Sequence, residues 1–305
     1  MREIGAQEER LIVEQRARLG IIGGSGLYAM EGLRDREEIS ITTPFGSPSD
    51  HITLGALDDT RVAFLPRHGR GHRLSPSEVP SRANLYALKS LGVERVISVS
   101  AVGSLREDLA PLDIVIPDQL FDRTRTRPSS FFENGVVAHI GFAEPFCSEM
   151  SALLVEAAAT LPGVRVHRGG MYLCIEGPQF STKAESRVYR QWGADIIGMT
   201  ALPEAKLARE AELCYATIAC VTDYDVWHET ETPVTVEMVV ANLAHNIANA
   251  QRIIREVARM APVDRAGSTC GCDSALAAAL ITDRAMLTPE QRARYDLLIG
   301  RYLTE

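Results

Sequence analysis

The sequence predicts a single α/β domain, and three observations carry that expectation. Apolar runs of strand length alternate with segments of helical spacing from residue 19 to about 260. An apolar strand runs straight into a glycine-rich turn at Leu19-Gly-Ile-Ile-Gly-Gly-Ser-Gly26. A run of apolar and small residues, Ile218-Ala-Cys-Val-Thr222, ends in Asp223 and Asp225. Alternation of this kind builds one layered sheet rather than two domains. The divisions expected are an N-terminal extension over 1–18, the domain over 19–262 and a helical tail over 263–305.

At Leu19–Gly26 the glycines let backbone N–H groups converge on an anion, and Ser25 adds a hydroxyl. Gly23, Gly24 and Gly26 do not complete a dinucleotide fingerprint, so a plain turn is the competing reading. Strands are expected over Ile39–Thr43, His51–Leu57 and Arg61–Leu65, and the last runs into Pro66-Arg-His-Gly-Arg-Gly-His-Arg73. That cluster is either a solvated basic loop or an anion site in which glycines admit the ligand and guanidinium forks bind it. Leu85, Leu88 and Leu91 mark a helix that stops at Gly92. Val96–Val102 is a buried strand ending in small residues, where parallel sheets open ligand crevices, and this places Ser100 among the candidates. Leu112–Ile116 is a further strand.

Phe121–Gly135 breaks the rhythm and reads as a functional loop, a lid or a subunit contact. A helix over Ser148–Leu161, a long strand over Val164–Ile175 and a helix over Thr182–Trp192 follow. Ala194–Gly198 then delivers Met199 and Thr200 to a helix opened by Pro203 and Glu204. Thr200 there is an N-cap or an anion ligand. In Asp223-Tyr-Asp225, period-two geometry would point both carboxylates to one side, and two close carboxylates raise the pKa of one. The plain alternative is a strand end whose aspartates serve turns. A long amphipathic helix follows from Val236 to Val257, and Thr288-Pro-Glu-Gln291 forms a capping-box pattern in the tail.

Composition limits what such a domain does. With 46% hydrophobic and 24% charged residues in 305, the chain can fill a sizeable core. A net charge of −8 argues against a nucleic-acid partner. No apolar run approaches the ~20 residues of a membrane span, and the charged segment Met1–Arg18 lacks a signal peptide's apolar core, so the expected address is cytoplasmic. Cys147, Cys174, Cys214 and Cys220 read as reduced packing residues. Cys270-Gly-Cys272 reads as two free thiols, a redox pair or half of a metal site. Nothing near it in sequence supplies further ligands, which counts against zinc.

Taken together, the chain resembles the trimeric purine nucleoside phosphorylase family, and within it the 5′-methylthioadenosine phosphorylase branch. The resemblance is carried by Gly20-Ile-Ile-Gly-Gly-Ser-Gly-Leu27, Pro66-Arg-His-Gly-Arg70, Ser100-Ala-Val-Gly-Ser-Leu105, Phe142-Ala-Glu-Pro-Phe-Cys147, Glu176-Gly-Pro-Gln-Phe-Ser-Thr182, Gly198-Met-Thr200 and Thr222-Asp-Tyr-Asp-Val-Trp227. It implies a central mixed β-sheet flanked by helices, a homotrimer with sites near subunit interfaces, no cofactor and no metal. The implied reaction is phosphorolysis of methylthioadenosine, with inorganic phosphate as co-substrate. By the same resemblance phosphate falls to Ser25, Arg67, His68, Ser100, Ala101 and Thr200. Met199 lies under the ribose, Asp223 assists protonation of the departing base, and Asp225 faces the 6-amino group. Ser181 and Val236 match specificity positions, and Val136 and Val137 are candidates for the methylthio pocket, from this subunit or a neighbour.

Relatives that cleave 6-oxopurines carry Asn where this chain has Asp223, which opposes a 6-oxopurine or methylthioinosine phosphorylase. The Arg67-His68 pair opposes a hydrolytic nucleosidase, which needs no anion cradle. From another class, a non-catalytic purine nucleoside binding protein would have no reason to keep every ligand type. Some thermostable relatives carry a disulfide at a C-terminal Cys-x-Cys, which adds a stabilising bond to the readings of Cys270 and Cys272.

Overall fold

The computed structural model describes residues 17–24, 27, 30–228, 236–261, 265 and 267–303, without the side chains of residues 236, 238 and 239. Ser25 and the extension over 1–16 therefore lie outside the described residues, as does the side chain of Val236. Eleven strands form one mixed sheet. They are β1 (Leu19–Gly23), β2 (Leu33–Ile39), β3 (Ile52–Leu57), β4 (Thr60–Pro66), β5 (Arg95–Ser104), β6 (Ile114–Ile116), β7 (Gln119–Arg123), β8 (Val166–Arg168), β9 (Met171–Ile175), β10 (Ile196–Gly198) and β11 (Cys214–Asp223). Among the described residues six α-helices accompany them: α1 (Ser81–Ser90), α2 (Ser148–Ala159), α3 (Lys183–Gln191), α4 (Ala201–Glu210), α5 (Val236–Met260) and α6 (Pro289–Ile299). No described helix is long and apolar enough to cross a membrane.

The sheet forks at β5. One edge of β5 pairs in parallel with β11 over its whole length. The other edge pairs with β1 up to Ser98 and, antiparallel, with β10 from Gly103. Residues 99–102 are left without a ladder partner on that edge, and the gap between β1 and β10 is where the candidate site lies.

Every residue of β11 is buried, as a near-continuous apolar run predicts for a strand covered on both faces. Tyr215, Ala219 and Val221 face a core closed by α1 and α4, while Cys214, Ala216, Ile218 and Cys220 face one closed by α2 and α5. The tail is part of the first core: Leu276, Leu287, Tyr295, Leu298 and Ile299 pack there with Phe131 and Phe132.

The structure moves three sequence expectations. The strand expected over Ile39–Thr43 lies earlier, at Leu33–Ile39, where only Leu33 is buried. It is an edge strand held to β3 by its backbone, so its charged residues show no alternation. The strand expected over Val164–Ile175 divides at Gly169 and Gly170, both at positive φ, and its halves join different branches of the sheet. Phe131 and Phe132, expected in a lid or subunit contact, are buried in the chain's own core, as is Val136; Val137 is 44% exposed.

Candidate active site

The glycine-rich end of β1 and the basic loop after β4 lie side by side, since β1 and β4 pair in parallel to Gly23↔Pro66. Arg67 opens that loop, but its guanidinium turns inward. Nε donates to Glu204 Oε1 at 2.5 Å and Nη2 to Glu204 Oε2 at 3.1 Å. Nη2 also reaches Ser98 Oγ at 2.7 Å, and Nη1 reaches the Val99 carbonyl at 2.8 Å. Tyr215 adds a donor to Glu204 Oε2 at 3.0 Å. The fork expected for an anion is thus spent on a buried ion pair, and only one Nη1 N–H is uncommitted among the described residues. The reason is desolvation: a guanidinium only 3% exposed requires a paired counter-charge.

His68 is 9% exposed, with Nδ1 at 2.9 Å from the Leu74 carbonyl. A carbonyl only accepts, so Nδ1 carries the proton and Nε2 keeps a lone pair. Burial, and then the Arg67 charge, push its pKa down to about 4, so the ring is neutral at neutral pH.

Ser100, in the unpaired stretch of β5, places Oγ 2.8 Å from Thr200 Oγ1 and 3.0 Å from the Tyr172 hydroxyl. Thr200 stands at the N-cap position of α4 but makes no capping hydrogen bond, which sets aside the N-cap reading of its hydroxyl. The regular part of α4 starts after Leu202, whose extended backbone (φ −118°, ψ 140°) interrupts the first turn. Backbone groups alternate between strand edges, so Ala101 shares the edge from which the Val99 carbonyl meets Arg67. Its N–H therefore faces the gap. Gly198 is required here: a Cβ on it would lie 2.1 Å from the Tyr172 hydroxyl oxygen. Met199 follows, with its carbonyl bound by Arg127 Nη1 at 2.5 Å and its sulfur against Gly177.

On the far side of β5, Asp223 ends β11. Its Oδ2 accepts from Thr222 Oγ1 at 2.7 Å and its Oδ1 from the Asp225 N–H at 2.8 Å. The period-two expectation fails in form, because Asp225 lies beyond the strand in a left-handed conformation (φ +52°). The turn nevertheless brings both carboxylates over Gly103, where a Cβ would sit 2.9 Å from Asp223 Oδ1 and 3.3 Å from Asp225 Cβ. Burial raises both pKa values. Asp225 rises to about 6, and the charge of Asp223 adds to the effect. Asp225 Oδ2 is buried without a hydrogen-bond partner, as is Ser181 Oγ.

Arg127 closes the wall, donating to the carbonyls of Met199, Leu202, Ile175 and Glu176. Glu176 is drawn down to about 2 despite its burial, by Ser77 Oγ, the Arg125 N–H and Thr126 Oγ1. The site thus holds a pocket of hydroxyls and backbone donors on one side of β5 and a carboxylate pair with raised pKa values on the other. Such a site can bind a tetrahedral anion beside a group that departs needing a proton.

A sequence profile of the phosphorylase superfamily matches residues 18–259. The chain belongs to the phosphorylase superfamily. Among its relatives, the S-methyl-5′-thioadenosine phosphorylase of Koribacter versatilis is 56% identical over 95% of this chain and 98% of its own length. That of Geobacter sulfurreducens is 57% identical over 93% and 99%. Of solved structures, a methylthioadenosine phosphorylase from an antarctic soil metagenomic library superposes with a TM-score of 0.87, at 50% identity over 93% of this chain and 99% of its own. The Schistosoma mansoni enzyme in complex with adenine gives 0.80, at 36% identity over 87% and 99%.

At this candidate site the sequence did not point to Glu204, Tyr172, Arg127 or Gly103. Glu204 read only as a first-turn residue. A lone Glu after Pro is ordinary there, and its partner Arg67 is distant in the chain. Gly103 left a trace as the glycine that ends a buried strand.

Proposed function

We propose that the protein cleaves S-methyl-5′-thioadenosine with inorganic phosphate, giving adenine and 5-methylthio-α-D-ribose 1-phosphate, without a catalytic cofactor. The observation that carries the choice of substrate is the pair of buried, raised carboxylates over Gly103. A 6-amino group donates to a carboxylate, whereas a 6-oxo group would face it with a lone pair, a mismatch worth ~10⁴-fold in a site built for the donor. The relatives of that name support the same reading.

In this proposal phosphate occupies the gap in the sheet, between the hydroxyls of Ser100 and Thr200 and the Ala101 N–H, and by the family resemblance Ser25 is a further phosphate ligand. A protonated phosphate oxygen donates to His68 Nε2, and the anion's charge raises the pKa of His68 in turn. Arg67 contributes its remaining N–H and holds the loop that carries His68. Met199 lies beneath the ribose. As the N-glycosidic bond breaks, positive charge grows on the ribose beside the phosphate, whose oxygen forms the new bond to C1′. The electron pair left on the purine takes a proton through Asp223 at N7, with Asp225 accepting from the 6-amino group. The two carboxylates titrate as a pair, and their raised pKa values ease uptake of the proton that the departing base needs. Ser181 and Val236 are, by the family resemblance, the specificity positions. By the same resemblance the assembly is a homotrimer; of the two valines proposed for the methylthio pocket, Val137 is exposed on the chain and Val136 is buried.

The test compares release of adenine from methylthioadenosine and hypoxanthine from methylthioinosine, each with and without phosphate. Phosphate-dependent cleavage with strong preference for methylthioadenosine is expected. Turnover without phosphate would make the protein a hydrolase, and preference for methylthioinosine would make it a 6-oxopurine enzyme.

A further inference from the structure

Four cysteine sulfurs meet at one point outside the catalytic site. Cys147 stands at the N-cap of α2, and Cys214 opens β11. Cys270 and Cys272 come from the tail, on either side of Gly271, whose left-handed backbone (φ +65°) folds the chain into a hook. The four Sγ atoms all lie within 4.8 Å of one another, and three of the residues are buried. None is in a disulfide. In sequence the Cys-x-Cys pair had no partners, whereas the fold supplies them from two residues that looked like simple packing.

We propose that Cys147, Cys214, Cys270 and Cys272 form a structural four-thiolate site for Zn²⁺. Zinc holds thiolates at about 2.3 Å in a tetrahedron, which separates neighbouring sulfurs by about 3.8 Å. Cys214 and Cys270 Sγ are already 3.6 Å apart. Four protein sulfurs close the coordination shell and leave no place for water or substrate, the pattern of a structural rather than catalytic ion. Each thiol loses its proton to solvent on binding, so the filled site carries two net negative charges.

The surroundings suit that charge. Ser268 Oγ is 3.1 Å from Cys270 Sγ, and the Met150 N–H, in the first turn of α2, reaches Cys147 Sγ at 3.5 Å. Arg265, in the electrostatic field of Cys214, Cys270 and Cys272, has Nε and Nη2 buried without a hydrogen-bond partner. Donors aimed at ligand sulfurs are the usual outer shell of a thiolate metal site.

Two disulfides would divide the sulfurs into separate pairs, whereas all four lie within 4.8 Å of one another and Cys147 interacts with Cys214, Cys270 and Cys272 alike. A metal at this point would tie the tail to the first turn of α2 and the first residue of β11.

The test uses the full chain purified under reducing conditions. About one zinc per chain is expected by elemental mass spectrometry. Replacement by Co²⁺ should give intense sulfur-to-metal charge-transfer absorption and the visible bands of a tetrahedral thiolate site. Cys270→Ser with Cys272→Ser should lose both signals, and Cys220→Ala should keep them. Because loss of both signals in the double variant could also follow from unfolding, the wild-type chain is measured too: stripping the metal with a chelator should lower the melting temperature, and zinc should restore it. Three results would overturn the site: no zinc bound after incubation of the reduced chain with Zn²⁺, zinc retained by the double serine variant, or disulfides among these cysteines in protein whose thiols were blocked at lysis. None of these readouts depends on nucleoside cleavage.

Discussion

Asp225 is held where its charge is costly: burial penalises the ionised carboxylate, and its Oδ2 has no hydrogen-bond partner. With a pKa near 3.8 when unfolded and about 6 when folded, it is protonated in both states below about pH 4 and adds no penalty there. Stability is lost as pH rises from about 4 to 6 and stays lower above that, by up to roughly 3 kcal/mol at about 1.4 kcal/mol per pKa unit. Asp225→Asn should therefore melt above the wild-type protein at pH 8 and with it at pH 4, while cleavage slows. Equal melting at pH 8 would mean that the carboxylate ionises in the fold without cost. At this scale the types of the site residues were legible in the sequence, but their commitments were not. Arg67 shows why: its basic, glycine-rich setting suggests an anion ligand, and only the fold reveals that Glu204 has taken its fork.

Among the elements, β11 was the most legible, because burial on both faces leaves an unbroken apolar run. The joint between β4 and α4 was the least, since it rests on one ion pair between distant segments. That joint positions both halves of the proposed anion site, His68 after β4 and Thr200 before α4. Glu204→Ala leaves the Arg67 charge buried and unpaired, and should cost about 3–5 kcal/mol in urea unfolding. Arg67→Met combined with Glu204→Leu should recover most of that stability while phosphate affinity stays lost. If Glu204→Ala costs less than about 1 kcal/mol, the value of a solvated surface pair, water reaches the joint and its burial is not decisive.

At the scale of the whole molecule, one α/β domain was readable from the alternation of elements, whereas the standing of the tail was not. Its leucines and capping box announce a helix, and Thr288 and Gln291 do form that box. What the helix covers is set by Phe45, Phe131 and Phe132, far away in the chain; Tyr295 packs against the rings of Phe45 and Phe132, and Phe45 packs in turn on Phe131. A chain ending at residue 266 would strip Leu276, Leu287, Tyr295, Leu298 and Ile299 from that core. It should lose cooperative thermal unfolding, seen as non-coincident transitions by near- and far-ultraviolet circular dichroism. A truncated chain that melts in one transition at the full-length temperature would make the tail an accessory.

The fork at β5 has a consequence for how the protein avoids its neighbours. Unpaired strand edges invite other chains to add themselves, which is the first step toward aggregation. Here the unpaired edge runs only over residues 99–102 and is flanked by β1 on one side and β10 on the other. A second strand has no room to dock there, while something the size of a single anion does. At this fork the sheet thus keeps backbone groups open in its interior without offering there a template on which copies of the chain could grow.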